Sequence, residues 1–385
     1  MGDDKALTAP SILFLADYGA SGGTRTYFKQ LLALYAEKHA RVTVVRTYEE
    51  ADDEIDSLCH QYGFTCVGLS SVVGDNDILR GKSIARYFLE RHSFRNFVRK
   101  TAADVVVASV GAPELFLGAV NLASKSIYIL HTYPHTSKNI LKGFLRRMFF
   151  SIFVSSSTKI LTVSEYSRKR ILQAWGLWGR TSNVEVIYST AGDSVSTASI
   201  AGAGAINILT VGHVVPYKNP DTWINVAILL KRNSPDLNIR FKWLGDGSLL
   251  SECRDRVKRL GFESFVSFAG HDDDVASHYR QCDIYFQPSL IESLGLSVLD
   301  AMRYGKPCIV ANTGGLPEVV SDGESGWVVD ADNVEEMAYR VEMLAKDKML
   351  RGVMGQRATK IYEERFSLKR WAKEMWRIHG DMLKT

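Results

Sequence analysis

Cysteine is scarce in this chain, with five in 385 residues, at positions 59, 66, 253, 282 and 308. None forms a CxxC pair or a metal-ligand spacing. Neither a disulfide framework nor a thiolate metal site is therefore expected, and the thiols are expected to be reduced and mostly buried, as in a cytoplasmic protein. No apolar run approaches the roughly 18 residues of a membrane span. The first ten residues, MGDDKALTAP, are acidic and hold no apolar stretch, so no signal peptide is expected there. The dinucleotide fingerprint GxGxxG is also missing, because the first glycine cluster places Gly19, Gly22 and Gly23 at a different spacing.

What is present reads as a soluble globular protein of two to three domains, with 46% hydrophobic and 23% charged residues. The net charge of +4 is unevenly spread. Residues 1–190 carry 23 Lys and Arg against 17 Asp and Glu, and residues 80–170 carry 16 against 4. Such a concentration suits an anionic partner surface, namely membrane phospholipid, a lipid-linked phosphate or nucleic acid; a solvated basic face is the plain alternative.

Short apolar runs alternate with helical patterns along the chain, the pattern of parallel sheets covered on both faces. In the first half the runs fall at 11–16, 42–46, 64–69, 104–109, 126–130, 159–163 and 184–187. The glycine loop 17–24 after the first run could approach a ligand closely or be a plain turn. His131 follows the fifth run, where a parallel strand points its end into a ligand crevice; a structural role is the alternative, and for His135 the more natural one. Residues 80–100 read as a basic helix, with Arg91, Arg95 and Arg99 on one face and Phe88, Phe94 and Phe97 between them. Residues 138–159 are apolar with Lys142, Arg146 and Arg147 interspersed. That helix could lie in a membrane interface or pack on its own sheet. Ser164 reads as an N-cap. Residues 190–205, small and glycine-rich, read as a linker. A second alternation then runs from 206 to 320, and residues 368–382 form a tryptophan-bearing amphipathic helix.

The chemistry concentrates in residues 287–320, QPSLIESLGLSVLDAMRYGKPCIVANTGGLPEVV. This stretch reads as a strand end, a Pro-Ser turn, an acidic loop, a helix, a Gly-Lys-Pro break, a buried strand and a Gly-Gly turn. Glu292 precedes the helix, Gly295 falls in its expected first turn and Asp300 lies inside it. Unpaired N–H groups and the positive end of the dipole make such a helix start an anion site. An anion site bracketed by two carboxylates suits a diphosphate set between two polyhydroxy groups, as in a nucleotide sugar. Lys218, in the loop VGHVVPYKNPD after the strand at 206–211, is placed to meet phosphate oxygens, and His213 could assist. Gly245 and Gly247 offer either close approach to a base or ribose, or a turn. Asp272–Asp274 is read as a helix cap rather than a metal-binding DxD. Gly314, Gly315 and Glu318 are expected to shape a turn beside the pocket.

At these residues the chain resembles the retaining GT-B glycosyltransferases called family 4. The pattern is PSLIESLGLSVLDAMRYGKPCIV, with GASGGT, ILH, LTVSEYS, VGHVVPYKNPD, LGDG and FAGHDDD in the order found in that family. The resemblance implies an α/β GT-B fold of two Rossmann-like domains whose parallel sheets face each other across a cleft. It implies an acceptor-side domain over 1–190, a linker over 191–205, a donor domain over 206–367 and a helix over 368–385 crossing back to the first domain. It further implies that Glu292 faces the donor sugar, that the backbone N–H groups of Leu294, Gly295 and Leu296 hold the diphosphate, and that Asp300 takes the ribose hydroxyls. Lys218 and His213 would neutralise phosphate, Gly22 and Gly23 would close on it, and His131 would touch the sugar. His131, Glu292 and Lys218 are thus the catalytic candidates, with no metal or cofactor expected. The implied reaction moves a sugar from a UDP or GDP donor to a polysaccharide or lipid-linked saccharide in cell-surface glycan synthesis. The enzyme would be cytoplasmic, with a basic region able to touch the inner face of the membrane, and would not bind nucleic acid. Three departures stand out: His213 replaces the usual arginine, Asp300 replaces the usual glutamate, and Tyr188–Asp193 replaces Pro-Asn-Gly-Val-Asp. They keep open a non-catalytic nucleotide-sugar binder, and an epimerase of the same fold is a further alternative.

Overall fold

The computed structural model describes residues 9–16, 23–46, 53–73, 84–109, 125–134, 140–193, 195 and 204–384. The chain divides into two compact units, one of Met1–Ile187 with Ala372–Thr385 and the other of Tyr188–Trp371.

In the first unit the strands are β1 (Ser11–Ala16), β2 (Arg41–Arg46), β3 (Thr65–Gly68), β4 (Val105–Ser109), β5 (Ser126–Leu130), β6 (Thr158–Thr162) and β7 (Val184–Val186). They form one parallel sheet in the order β3-β2-β1-β4-β5-β6-β7. Its central strands are hydrophobic without alternation: every residue of β4 (VVVAS) and β5 (SIYIL) is buried. Both faces of a parallel sheet are covered by helices, so both sets of side chains need an apolar environment. In the helix Ile84–Thr101, Phe94 is buried and Phe97 packs against the core, so these aromatics serve the interior. Ser164 caps the helix Glu165–Trp175 as expected, accepting from the Ser167 N–H at 3.1 Å, and Gly176 closes it at φ +67°. A left-handed closing residue of this kind favours glycine.

The terminal helix Leu368–Lys384 supplies the buried His379 to the first unit. Its Nδ1–H donates to the Met375 carbonyl at 2.8 Å, which leaves Nε2 to accept from the Tyr35 hydroxyl at 2.9 Å. Burial lowers the His379 pKa to about 4, so the ring is neutral. Arg377 on the same helix pairs with Glu185 at 3.0 Å.

The second unit has β8 (Ile206–Val211), β9 (Ile239–Leu244), β10 (Val266–Gly270), β11 (Ile284–Gln287), β12 (Cys308–Ala311) and β13 (Gly326–Val329). They too form a parallel sheet, in the order β10-β9-β8-β11-β12-β13. Trp223, Trp243, Phe241 and Phe268 fill the space beneath β8–β10, with ring centroids of contacting pairs 5.2–5.7 Å apart. Residues at the start of the expected linker belong to this unit. Thr190 bonds to the Tyr362 hydroxyl at 3.1 Å, and the Asp193 carbonyl accepts from Arg303 at 3.2 Å. Four of the five cysteines are buried and Cys66 is partly so.

Both sheets run outward from a central strand in two directions. The switch points lie between β1 and β4, and between β8 and β11. In an open parallel sheet the crevice beyond the carboxyl ends at such a point is where ligands bind.

Candidate active site

At the second switch point, β8 ends at Val211 and is followed by Gly212 and His213, and β11 ends in Gln287. The Gly212 N–H donates to the Leu244 carbonyl, and the Trp243 indole N–H donates to the Gly212 carbonyl at 2.8 Å. Gly245, at φ +137°, comes so close that a Cβ there would overlap the Gly212 carbonyl. This crowding fixes the path of the loop that follows. A short 3₁₀ turn, Pro216–Lys218, ends at Asn219, whose left-handed backbone starts the helix Pro220–Asn233. The turn brings Lys218 back over Gly212, with Nζ 3.9 Å from where a Cβ would sit.

Lys218 Nζ forms an ion pair with Glu292 Oε1, and both side chains are largely buried, at 16% and 12% exposure. The same carboxylate oxygen accepts from Gln287 Nε2 at 2.6 Å, with the Ser289 hydroxyl at 3.5 Å. Gln287 is itself oriented, because its Oε1 accepts from the Tyr285 and Ser297 hydroxyls, each at 2.9 Å. A buried amide without such partners would cost stability; here each end is satisfied, and its N–H is aimed at Glu292. Glu292 is thus held from the lysine side and the strand side at once.

Below this pair the helix is Leu296–Arg303. Gly295 was expected inside its first turn. It lies just before it, as the N-cap at φ +105°, since a left-handed backbone cannot belong to the helix. A Cβ at Gly295 would also sit 2.7 Å from Leu316 Cδ2. Leu294 is buried and Leu296 half-buried. The loop is closed from behind by Gly314 and Gly315. A Cβ on Gly314 (φ +59°) would overlap the Glu292 carbonyl, and one on Gly315 would overlap that of Ser293. The Gly315 N–H donates to the Glu292 carbonyl at 3.1 Å, and the Thr313 hydroxyl to that of Ser289 at 2.6 Å.

Asp300 lies one turn into the helix, where Arg303 donates to its Oδ1 at 2.7 Å. Its side chain is 29% exposed, yet protein surrounds the carboxyl group. Burial pushes the Asp300 pKa up to about 6, against the pull of Arg303. Glu318 does not join this group: its side chain accepts from the Tyr188 hydroxyl at 3.0 Å. His213 is exposed.

Asp274 caps the helix Val275–Gln281, accepting from the Ser277 N–H at 3.1 Å, and Asp272 pairs with His278 at 2.8 Å. The capping role expected for this triplet is therefore observed.

In the first unit His131 stands at the end of β5. Its Nε2 shares a 3.1 Å hydrogen bond with the Ser109 hydroxyl at the end of β4, and the Tyr27 ring meets it edge-on at 4.6 Å. Burial lowers the His131 pKa to about 4, leaving a neutral imidazole at physiological pH. Gly23 opens the helix Gly23–Glu37, while Gly22 and His135 lie outside the described residues.

Residues 201–361 match the family model for glycosyl transferases group 1. An uncharacterized glycosyltransferase of Haemophilus influenzae is 28% identical over 269 residues, 69% of this chain and 73% of that one. The whole fold is shared with a Rickettsia africae glycosyltransferase of known structure, at TM-score 0.80 and 16% identity, covering 98% of this chain and 100% of the other. Residues 201–361 thus belong to the glycosyl transferases group 1, and the fold of the chain is the GT-B fold. Other similar proteins include a D-inositol 3-phosphate glycosyltransferase of Arthrobacter. It is 32% identical over 181 residues, 44% of this glycosyltransferase and 41% of the relative. A structure of Anabaena HepE in complex with UDP aligns at TM-score 0.76 and 20% identity, covering 96% of this chain and 100% of that one.

Gln287 carried no functional expectation. Its signal was a glutamine closing the otherwise apolar run IYF, where a buried amide must find partners.

Proposed function

We propose that this glycosyltransferase takes a sugar from a UDP or GDP donor and passes it, with retention of anomeric configuration and without a metal, to a polysaccharide or lipid-linked saccharide in cell-surface glycan synthesis. The observation that carries the reading is the Lys218–Glu292 pair at the second switch point, directly before the helix start at Gly295. The likeness to HepE, whose structure holds UDP, favours a uridine donor.

In this proposal the diphosphate lies over the N–H groups of Leu294, Gly295 and Leu296 and draws Lys218 from Glu292 to its own oxygens. Gln287 and Ser289 then keep Glu292 in place facing the sugar. Asp300 accepts from the ribose hydroxyls once Arg303 yields, and His213 is a secondary phosphate contact. In the first unit, Gly22, Gly23 and neutral His131 remain the residues assigned to donor contact. Transfer breaks the bond between sugar C1 and the phosphate oxygen and forms one from C1 to the acceptor oxygen. The acceptor proton leaves toward the released diphosphate. Charge grows on that leaving group, and preorganised donors stabilise it more than the ground state. The basic excess over 80–170 favours a membrane-borne acceptor.

The test is turnover with a panel of UDP- and GDP-sugars, with the product anomer read by NMR. The proposal expects one donor to be consumed only when an acceptor is present. Donor conversion without acceptor would instead make the protein an epimerase, and tight binding without turnover would make it a binder.

A further inference from the structure

The helix Ile140–Phe153 in the first unit has two unlike faces. Inward, Phe150 is fully buried and stacks on Trp175, with centroids 3.8 Å apart and planes at 7°. Outward, Leu141, Phe144, Leu145, Met148 and Ile152 are exposed by 66%, 62%, 48%, 47% and 64%. At about 100° per residue these five share one stripe roughly 100° wide, opposite Phe150. Isolated apolar side chains on a surface need no explanation, but five on one face mark a docking surface.

We infer that this stripe lies in the interface of an anionic lipid bilayer. The helix sequence ILKGFLRRMFFSIF contains three basic residues and no acidic one. On the helical wheel positions 142 and 146 flank the stripe on one side, and 147 flanks it on the other; Arg147 is exposed. Apolar residues bordered by cations match the boundary between acyl chains and anionic headgroups. In sequence, residues 80–170 carry 16 basic residues against 4 acidic, so the helix belongs to a strongly basic part of the chain. A second copy is the poorer occupant. It would set two such basic regions against each other, and a stripe of five side chains is small beside the roughly 800 Å² per partner of a stable interface. No described helix is long and apolar enough to cross a membrane, so the contact is one of lying on the bilayer. This inference names a surface for the membrane-borne acceptor proposed above, yet it can hold or fail independently of the nucleotide site.

The test is co-sedimentation of the full chain with vesicles of phosphatidylglycerol and phosphatidylcholine, and with vesicles of phosphatidylcholine alone. Wild type is expected to bind the anionic vesicles, more weakly as salt rises, by about fivefold for each basic contact that is screened. Phe144→Gln with Met148→Gln is expected to weaken binding about tenfold or more. Its melting temperature and its thermal shift with UDP should stay as in wild type, which separates loss of docking from failure of the nucleotide site. If that variant melts early, Leu141→Gln with Ile152→Gln, at the ends of the stripe, replaces it. Wild type that ignores anionic vesicles at low salt, or variants that bind as well as wild type, would overturn the inference. A dimer that these substitutions convert to a monomer would overturn it too, by making a second copy the occupant.

Discussion

The two units share one strand order, with β1 and β8 at corresponding switch points, but their carboxyl edges are chemically opposite. In the second unit the edge carries formal charge: Lys218, Glu292 and Asp300 are each held by a named partner. Among the described residues of the first unit, the switch point carries Ser109 and a histidine that burial keeps neutral, while Arg46 at the end of β2 is paired with Asp56 at 3.3 Å. Charge in the first unit appears instead as a basic excess, beside an exposed apolar helix face. The same topology therefore presents a charged switch point in one unit, and in the other an uncharged switch point with a basic excess elsewhere in the sequence. A fold fixes where a site can be, and side chains decide what it holds.

Four substitutions or titrations probe that contrast, taken from the largest expected effect down. Lys218→Ala should lower turnover by roughly 10²–10³, the scale of losing one preorganised donor to a developing anion. Steady-state kinetics with an unchanged melting temperature checks this, and full turnover would remove the lysine from the site. Gln287→Leu deletes a hydrogen bond to a charged group, typically worth about 1.5–3 kcal/mol. Turnover should fall about 10- to 100-fold, while UDP binding, which needs Lys218 more than Glu292, changes less.

The uncharged switch point is tested by stability against pH. His131 and His379 have folded pKa values near 4, below the ordinary histidine value near 6.5. Between those values the unfolded chain binds protons that the folded chain refuses. Stability is thus complete above about pH 6.5 and falls toward pH 4, with a slope of about 1.4 kcal/mol per pH unit for each histidine. His131→Asn should remove one such contribution from the slope of urea-melt free energies. A slope unchanged by the substitution would mean that the ring is charged in the fold. The smallest effect concerns Asp300, whose pKa of about 6 means that it must lose its proton to accept the ribose hydroxyls. UDP affinity should rise about tenfold from pH 5 to pH 7 in wild type and stay level in Asp300→Asn.

Much of this architecture was legible in the sequence. Buried parallel strands must be apolar on both faces, so the runs at 11–16, 104–109 and 126–130 stand out, and Ser164 announces its helix by its capping chemistry. The ends of elements were less legible. Leu69 begins a helix where a strand was expected to end, because one apolar residue serves either. Gly295 was placed a residue too deep, since only its positive φ excludes it from the helix. Glu292 and Lys218 drew notice as charges in loops after strands, and Asp300 as a carboxylate inside the helix that follows Glu292. That Lys218 would meet Glu292, 74 residues onward, required the strand order that sets β8 beside β11. Gln287 remained silent because its role lies in three partners rather than in a motif. The helix at 140–153 has more apolar residues than one buried stripe needs, so the sequence could not choose between membrane and core. Phe150 against Trp175 chooses the inward face and leaves the opposite one to solvent.

The most direct measurement of the central claim, that a nucleoside diphosphate binds at the Lys218–Glu292 edge of the second unit, is calorimetric titration of the full chain and of Lys218→Ala with UDP and GDP. The account predicts that one nucleotide binds wild type at a single site and that the variant binds it at least about tenfold more weakly, the worth of one charge-assisted contact. Equal affinity in the two proteins, or no binding of either nucleotide to wild type, would contradict it.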